Sequence, residues 1–492
     1  MIESPKKKPI FLTCLLLIFM LLTATINNAA LGASIMISSN TLRVALGLDQ
    51  PSAEFTVAQG NYELVDYITQ QVVSPALPNS NWLVVPAASA RIQITNNGQA
   101  VGLSSNLLLL RQKTPGEQNI FRYKSKNYRG DLLIENVSGK FHIINLIDAE
   151  QYLYGVVGPE MGTGAKEEAY KAQAVVSRSY ALYYKEHPQL FYDVGISTAW
   201  QVYTGYDGEI QGGAAAKKAV DDTKGLVIYY DNKVIQAFFH ANSGGYTESC
   251  ENVWFMSLPY IQPVPAPEDA IATQVAQYNG WPANSYQWEK TFTCQELAES
   301  LKKWNAANPD EAVKIGTIKG IEVSRQAINP QTREYLTTET LSRRATKLAV
   351  IGENGSQSFY KDGIRSLLNL KSTLIELTVD SAISIRNAFG SVDTVQDASD
   401  TLGITVDGAT GKLNGNNGNY YIITAEGITE KPKAFTQVTI SGKGHGHGLG
   451  MSQWGARGMA ENGAAYRQII EHYYNQDRNN GVLQIRAYVP AA

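Results

Sequence analysis

Cysteine is scarce in this sequence, in which Cys14, Cys250 and Cys294 are the only three among 492 residues. Cys14 lies in an apolar run near the N-terminus, which leaves Cys250 and Cys294 as the one pair that could form a disulfide, and pairing cannot be read from sequence. A surplus of charge of either sign is also absent, since the formal net charge is −3. A near-neutral chain gives no electrostatic reason to expect nucleic acid or an acidic membrane surface as a partner.

Long hydrophobic runs are lacking as well. The longest extends from Ile10 to Leu22 with Thr13 inside it, which is shorter than the roughly 18–20 apolar residues of a membrane span. Lys6–Lys8 precede this run and small residues follow it, so residues 1–33 are typical of a secretory signal, with an uncleaved anchor as the alternative. We therefore expect an exported, extracytoplasmic protein in the cell wall or on the outer face of the membrane, which touches the membrane only through an uncleaved N-terminal segment.

The remaining composition, 44% hydrophobic and 18% charged, is that of a globular protein. Its size leaves open one large domain with insertions or two domains. Short alternating runs punctuated by Gly, Asn and Pro predict antiparallel strands. These runs are Thr41–Leu46, Glu63–Ile68, Trp82–Val85, Ala90–Ile94 and Gly139–Leu146, followed later by Leu226–Tyr230 and Val234–His240 with an Asp231-Asn232 turn.

Helical segments alternate with these strands, so the predicted class is α+β. The clearest helix is the Ala-rich segment from Ala165 to about Glu186, with acidic residues in its first turn. Further helices are predicted near 294–304 and 361–370, and a C-terminal helical hairpin at about 453–461 and 465–474, interrupted by Gly463. The Gly- and Asn-rich stretch 407–419 predicts a mobile surface loop or the tip of an insertion.

We expect five regions along the chain. They are a signal or anchor at 1–33, a β-rich part at 40–145, a core at 146–265, an insertion or second subdomain at 266–435 and a terminal Gly-rich motif with helical hairpin at 436–492.

The tract Tyr152–Met161 contains the first candidate catalytic residue. Glu160 follows an apolar, strand-like run and precedes the predicted helix, between Pro159 and Met161. Apolar surroundings raise the pKa of a carboxyl group toward the value that a general acid needs. The alternative is structural, with Glu160 capping the next helix or pairing with Arg178.

Two glycine-containing tracts are further candidates. A Gly-Gly turn lies within Phe239–Glu248, and every second residue of Gly442–Gly450 is glycine. Such loops often present groups to a ligand, although an ordinary tight turn also explains the first. His445 and His447 have no acidic or cysteine neighbours in sequence, and a zinc site generally needs three or four protein ligands. We therefore expect no metal there.

Together these tracts resemble the stage II sporulation protein D/amidase-enhancer family, SpoIID/LytB. The matching blocks run in the family's order: Tyr152–Met161, Glu168–Ala181, Gln201–Gly205, Ser243–Thr247, Trp288, Arg365–Ser372 and Gly444–Ala456. Some sporulation members are similar to zinc proteins, with cysteines six and twelve residues after a histidine. Here Tyr246 and Asn252 stand at those distances from His240, so we predict no zinc and no cofactor.

The resemblance implies site residues, each at a position that matches the family's motifs. Glu160 matches the glutamate held to be catalytic, and eight further positions are implied to contribute to glycan binding: Lys171, Arg178, Tyr203, Ser243, Gly244, His447, Ser452 and Gln453.

The resemblance also implies an activity: a lytic transglycosylase that cleaves the bond between N-acetylmuramic acid and N-acetylglucosamine in peptidoglycan, in cell-wall remodelling linked to sporulation. One carboxyl group suffices for this reaction, because the substrate's own C6 hydroxyl replaces the water that other glycosidases activate with a second carboxylate. The alternative is a non-catalytic enhancer that binds glycan strands and stimulates a cell-wall N-acetylmuramoyl-L-alanine amidase.

Overall fold

The computed structural model describes residues 38–490 except 117, 255, 275–284 and, between 382 and 434, everything outside six strand segments. The expected export segment and most of the predicted loop 407–419 therefore lie outside the described residues. Among the residues described, no helix is long and apolar enough to cross a membrane.

The described residues contain the five predicted helices and three others. They are α1 Ala149–Met161, α2 Glu167–Glu186, α3 Gly205–Asp222, α4 Cys250–Val253, α5 Cys294–Ala307, α6 Gly363–Leu368, α7 Gln453–Glu461 and α8 Tyr466–Asn475, with 3₁₀ turns at Pro267–Gln274 and Pro309–Glu311. The long helix near 165–186, the helices near 294 and 361 and the C-terminal hairpin α7–α8 are confirmed.

Strands of the N-terminal region come first in the chain. They are β1 Thr41–Gln50, β2 Ala53–Gln59, β3 Tyr62–Asp66, β4 Val72–Ala76, β5 Asn81–Pro86, β6 Ile92–Asn96, β7 Gln99–Ser104, β8 Leu107–Gln112, β9 Ile120–Tyr123, β10 Lys126–Tyr128, β11 Asp131–Val137 and β12 Lys140–Asp148. They form two six-stranded antiparallel sheets in the orders β1-β12-β11-β8-β3-β4 and β10-β9-β2-β5-β6-β7.

The remaining strands are shorter or belong to smaller sheets. They are β13 Leu226–Tyr230, β14 Lys233–Val234, β15 Phe239–His240, β16 Gln287–Thr293, β17 Ile318–Ser324, β18 Gln326–Ile328, β19 Tyr335–Glu339, β20 Lys347–Gly352, β21 Gly355–Tyr360, β22 Leu374–Val379, β23 Ile383–Arg386, β24 Val392–Val395, β25 Leu402–Ile404, β26 Thr410–Lys412, β27 Asn419–Thr424, β28 Gly427–Pro432, β29 Gln437–Lys443, β30 Met451–Ser452 and β31 Leu483–Ala487.

The predicted α+β class and its antiparallel strands are confirmed. The predicted strand Val234–His240 is wrong in its middle, because only its two ends, in β14 and β15, are extended in a ladder. Asp231 and Asn232 form the expected turn, both with left-handed backbone (φ 47° and 61°).

Two buried clusters organise the packing. The larger, which we call the first core, joins both N-terminal sheets to α1, α2 and the C-terminal helices, with members from Leu42 to Leu483. The second core lies within residues 292–440 and packs α5 and α6 against the sheets β16-β29-β22 and β17-β20-β21. The five-region division of the chain remains a prediction.

The long helix α2 is buried along most of its length. Thirteen of its residues, including every position from Ala172 to Leu182, are buried. The helix therefore crosses the first core rather than covering it, and its polar side chains must find partners inside the protein.

Candidate active site

The position of Glu160 corrects the sequence interpretation. The apolar run before it is not a strand but helix α1, and Glu160 lies in the last turn of that helix. Pro159 lies inside α1 and has no N–H to donate, so the carbonyl oxygen of Gly155 is left without its intrahelical partner. The N–H of Thr204 donates to that oxygen at 3.3 Å. This contact fastens the segment before α3 alongside the end of α1.

Two neutral donors hold the Glu160 carboxyl group. The backbone N–H of Val202 donates to Oε1 at 2.6 Å, and the side-chain amide of Gln453 donates to Oε2 at 3.0 Å. Burial raises the pKa of Glu160 from 4.5 to about 7, and the two hydrogen bonds oppose that rise. A helix C-terminus is also an unfavourable place for a negative charge. The protonated and ionised forms of Glu160 are therefore both populated near neutral pH.

Glu160 opens into a cavity of about 550 Å³, which we call the cleft. Aromatic side chains form much of its wall, namely Tyr180, Tyr184, Trp200, Phe238, Phe239 and Trp254. Their rings contact one another, as between Tyr184 and Trp200 with centroids 4.8 Å apart. A wall of flat rings with a few polar groups is the lining expected of a site for a partly apolar ligand such as a sugar.

Histidines from two elements meet on another wall of the cleft. His447, from the Gly-rich loop, and His240, from β15, have ring centroids 5.5 Å apart. Nδ1 of His447 accepts from the N–H of Leu449 at 3.0 Å, and Nδ1 of His240 donates to the carbonyl of Leu449 at 3.0 Å. Burial lowers the pKa of His447 to about 4 and that of His240 well below its ordinary value. Both imidazoles are therefore neutral at neutral pH.

Ser243, Gly244 and Ser452 lie behind this wall rather than in it. The hydroxyls of Ser243 and Ser452 both donate to the buried carboxylate of Asp269, which also accepts from the N–H of Gly245 at 3.1 Å. The Cβ of any larger residue at 244 would lie 2.9 Å from the backbone of Lys443 and Gly444. These residues therefore shape the Gly-rich loop from behind.

Three of the predicted substrate-binding residues bind other parts of the protein in this fold. Arg178 is buried and forms a bidentate pair with Glu150, at 2.9 and 2.6 Å, so the alternative that it pairs with Glu160 is wrong. Lys171 binds Glu167 at 2.6 Å on the outer side of α2. The hydroxyl of Tyr203 donates to Asn145 at 2.9 Å inside the first core. None of the three lines the cleft.

Sequence reasoning missed several residues of the cleft. Asp362, which directly precedes α6, and Arg365, within α6, pair at 2.9 Å and line the cleft, and Asp362 adds a second carboxyl group to the site. Trp254 and Tyr184 lie outside every matching block and carry no motif signal in a chain with 27 tyrosines. The role of Asp269 could not be predicted, because the residues that donate hydrogen bonds to it are distant in sequence.

Within the described ranges, no group of three or more His, Cys, Asp or Glu side chains has the spacing of a metal site. Cys250 and Cys294 are both free thiols, so they do not form the one disulfide that the sequence left open. Burial raises the pKa of the Cys250 thiol to about 12. The thiolate that a metal would require is therefore disfavoured.

Comparison with known proteins finds a family and several relatives. The model of the family described as Stage II sporulation protein matches residues 137–230, which contain Glu160. The chain is similar to an Amidase enhancer of Bacillus subtilis, with 27% identity over 65% of this chain and 39% of that protein. It is similar to an uncharacterized protein of Brachyspira hyodysenteriae, with 25% identity over 89% and 92% of the two chains.

A Stage II sporulation protein D of Bacillus amyloliquefaciens is 26% identical over 68% of this chain and 74% of its own. The match therefore covers most of two of these relatives but well under half of the amidase enhancer.

Proposed function

The chain belongs to the SpoIID/LytB family, and from this premise we propose that it is a peptidoglycan lytic transglycosylase with Glu160 as its catalytic acid and base. The observation that carries the proposal is the state of Glu160. Its pKa is about 7, both of its hydrogen-bond donors are neutral, and it opens into an aromatic cleft.

The proposed reaction needs one group that first donates a proton and then accepts one. Protonated Glu160 donates its proton to the oxygen that bridges N-acetylmuramic acid and N-acetylglucosamine, and the bond from that oxygen to C1 of the muramic acid breaks. The carboxylate then takes the proton of the C6 hydroxyl, whose oxygen bonds to C1 as a 1,6-anhydro ring. The atoms balance without water, and Glu160 ends the cycle protonated.

The donors of Glu160 suit this cycle. The N–H of Val202 and the amide of Gln453 stabilise the carboxylate formed after the first step, because hydrogen bonds to an ionised group are stronger than those to its neutral form. Neither donor carries a charge that would prevent protonation before the first step. General acid–base help of this kind is worth about 10²–10⁴-fold in rate.

The proposal is tested by incubating the exported part, residues 34–492, with purified peptidoglycan and analysing the products. We expect 1,6-anhydro-N-acetylmuramic acid ends from the unmutated protein. Glu160→Gln keeps the size of the side chain but removes the transferable proton, so cleavage should fall by about 10²–10⁴-fold. Glu322→Gln, at an exposed carboxyl on β17, is the matched control and should cut normally.

Two results would contradict the proposal. Undiminished cutting by Glu160→Gln would remove Glu160 from the chemistry. Reducing ends would mean that water is the nucleophile, and Asp362 would then be the first candidate for the second carboxylate because it lines the same cleft.

A second candidate function follows from the similarity to a protein named Amidase enhancer. In that case the cleft binds glycan and the chain stimulates a partner amidase without cutting. Equal stimulation of an added cell-wall amidase by the unmutated protein and by Glu160→Gln, with no cleavage by either, would favour this function. For both candidates we propose a site of action outside the cytoplasmic membrane, in remodelling of the cell wall during sporulation.

A further inference from the structure

A second cavity, of about 600 Å³, lies beside the C-terminal end of α2. We call it the distal groove and define it by Tyr183, His187, Tyr229, Tyr230, Asp231 and Tyr260, which line it. It contains none of the residues in the seven family blocks, and the proposed reaction gives it no role.

The groove combines rings with exposed polar groups. The rings of Tyr183 and His187 stack with their centroids 4.3 Å apart, and the ring centroids of Tyr230 and Tyr260 are 5.6 Å apart. The carboxylate of Asp231 is exposed at the tip of the β13–β14 turn, at the edge of the groove. Tyrosine offers an apolar face and a hydrogen-bonding hydroxyl, and exposed carboxylates and amides accept from or donate to hydroxyl groups. This lining suits the alternating apolar faces and hydroxyls of pyranose rings.

The distal groove adjoins the cleft through residues that are consecutive in sequence. Tyr183 lines the groove and Tyr184 the cleft, with ring centroids 5.5 Å apart. Gln236, in the cleft wall, joins the two. Its backbone N–H donates to the hydroxyl of Tyr260 at 3.2 Å and its side-chain amide donates to the hydroxyl of Tyr184 at 2.6 Å. Side chains that line one cavity therefore contact side chains that line the other.

We propose that the distal groove is an outer subsite for the same glycan strand that the cleft binds, holding sugar units beyond those at Glu160. This inference rests on the proposed function for the identity of the polymer. Because the two cavities are neighbours, a ligand that occupies both has to be a chain of several units. The charges around the groove are mixed, with Glu186, Asp231 and Lys233 all lining it, which fits a sugar chain better than a strongly acidic or basic partner.

The experiment measures binding, so it does not depend on cleavage. Oligomers of alternating N-acetylglucosamine and N-acetylmuramic acid, of two to eight sugars, are titrated into Glu160→Gln protein by calorimetry. We expect affinity to rise with length beyond the oligomer that fills the cleft. Adding Tyr230→Ala should reduce the affinity for the longest oligomer by about tenfold, the order of magnitude of one lost aromatic contact, and leave the shortest unaffected.

Asp231→Gly is the second variant, because glycine adopts the left-handed backbone of residue 231 without strain and only the carboxylate is lost. Asp231→Gly should reduce the affinity for the longest oligomer and leave that for the shortest unchanged. Tyr335→Ala, at an exposed tyrosine on β19 that lines neither cavity, is the matched control and should change nothing.

Each outcome separates the two proposals. Length-dependent affinity that Tyr230→Ala and Asp231→Gly abolish supports the outer subsite even if the unmutated protein never cuts glycan. Affinity that does not rise with length, or losses that are equal at every length, overturns the subsite while leaving the proposed reaction intact. No binding of any oligomer overturns both.

Discussion

Single side chains at this site depend on partners that are distant in sequence. The carboxyl group of Glu160 accepts one hydrogen bond from a loop residue 42 positions away and another from a helix residue 293 positions away. Burial sets the pKa of Glu160 above its ordinary value, because burial without a counter-charge favours the protonated acid. Such a group lowers the stability of the fold where it ionises, as is usual for functional residues.

The first prediction at this scale concerns stability. The pKa of Glu160 is about 7 in the folded protein and near 4.5 when exposed, so the folded state holds this proton more tightly. The contribution of Glu160 to stability is therefore greatest below about pH 4.5, declines as pH rises from 4.5 to 7 and is constant above. Glu160→Gln removes that decline. It should match the unmutated protein near pH 4 and exceed it by on the order of 2–3 kcal/mol at pH 8.

Urea unfolding across this pH range measures the difference. Glu322→Gln, at an exposed carboxyl, should show no such pH-dependent gain. A Glu160→Gln protein that gains nothing between pH 4 and 8 would show that Glu160 ionises in the folded protein as easily as it does in water.

The second prediction at this scale concerns the pH profile of cleavage. The first step needs protonated Glu160, so kcat/KM should fall as pH rises through about 7. Gln453 donates to the ionised form and lowers this pKa. Gln453→Leu should therefore move the falling limb to higher pH. An unmoved limb would mean that another group titrates there.

At the scale of elements, the site depends on how closely two helices approach. Gly158 of α1 faces Gly212 of α3, and a Cβ on Gly158 would lie 2.2 Å from the Cα of Gly212. Gly155 likewise approaches Gly205, with its Cβ position 2.5 Å from that carbonyl oxygen. Because Glu160 lies in the last turn of α1, two residues after Gly158, this contact determines where the carboxyl group lies relative to Val202.

The element-scale prediction follows from that contact. Gly158→Ala should force α1 and α3 apart and lower the free energy of unfolding by about 1–3 kcal/mol, as overpacking of a core does. The cleavage rate of the folded protein should also fall, because Glu160 shifts with the helix. Gly102→Ala is the matched control, since a Cβ there meets nothing within 4 Å. Melting temperature and single-turnover cleavage together measure both effects. Normal cleavage by a destabilised Gly158→Ala protein would separate the contact from the catalytic geometry.

The same helices show what the sequence could predict. α2 and the C-terminal hairpin α7–α8 were predictable because alanine content, helix-stop glycine and acidic first turns act locally. α1 was not. Its segment Tyr152–Val157 is buried on every side, so its apolar run has no helical period, and a strand explains it equally well.

At the scale of the whole molecule, both cores hold the Gly-rich loop. From the first core, Asn242 and His445 exchange backbone hydrogen bonds at 3.0 and 2.8 Å. From the side of the second core, the carbonyl of Lys371 accepts from the N–H of Gly446 at 2.8 Å. The guanidinium of Arg344 packs under Gly448 and donates to the carbonyl of Ser243 at 2.7 Å. The sequence motifs indicated that this loop matters, but contacts between residues so far apart in sequence were beyond any local pattern.

The last prediction tests that shared support. Leu348 is fully buried in the second core, far along the chain from the loop, and Leu348→Ala should cost about 2–5 kcal/mol through lost packing and a cavity. If the loop depends on both cores, its backbone amides between 444 and 450 should exchange with deuterium faster by the factor that corresponds to the measured loss of stability. Leu336→Ala, at a partly exposed leucine on β19, is the matched control and should leave both quantities nearly unchanged. Slow exchange in the loop of an otherwise destabilised Leu348→Ala protein, or two separate unfolding transitions, would mean that the first core alone maintains the site.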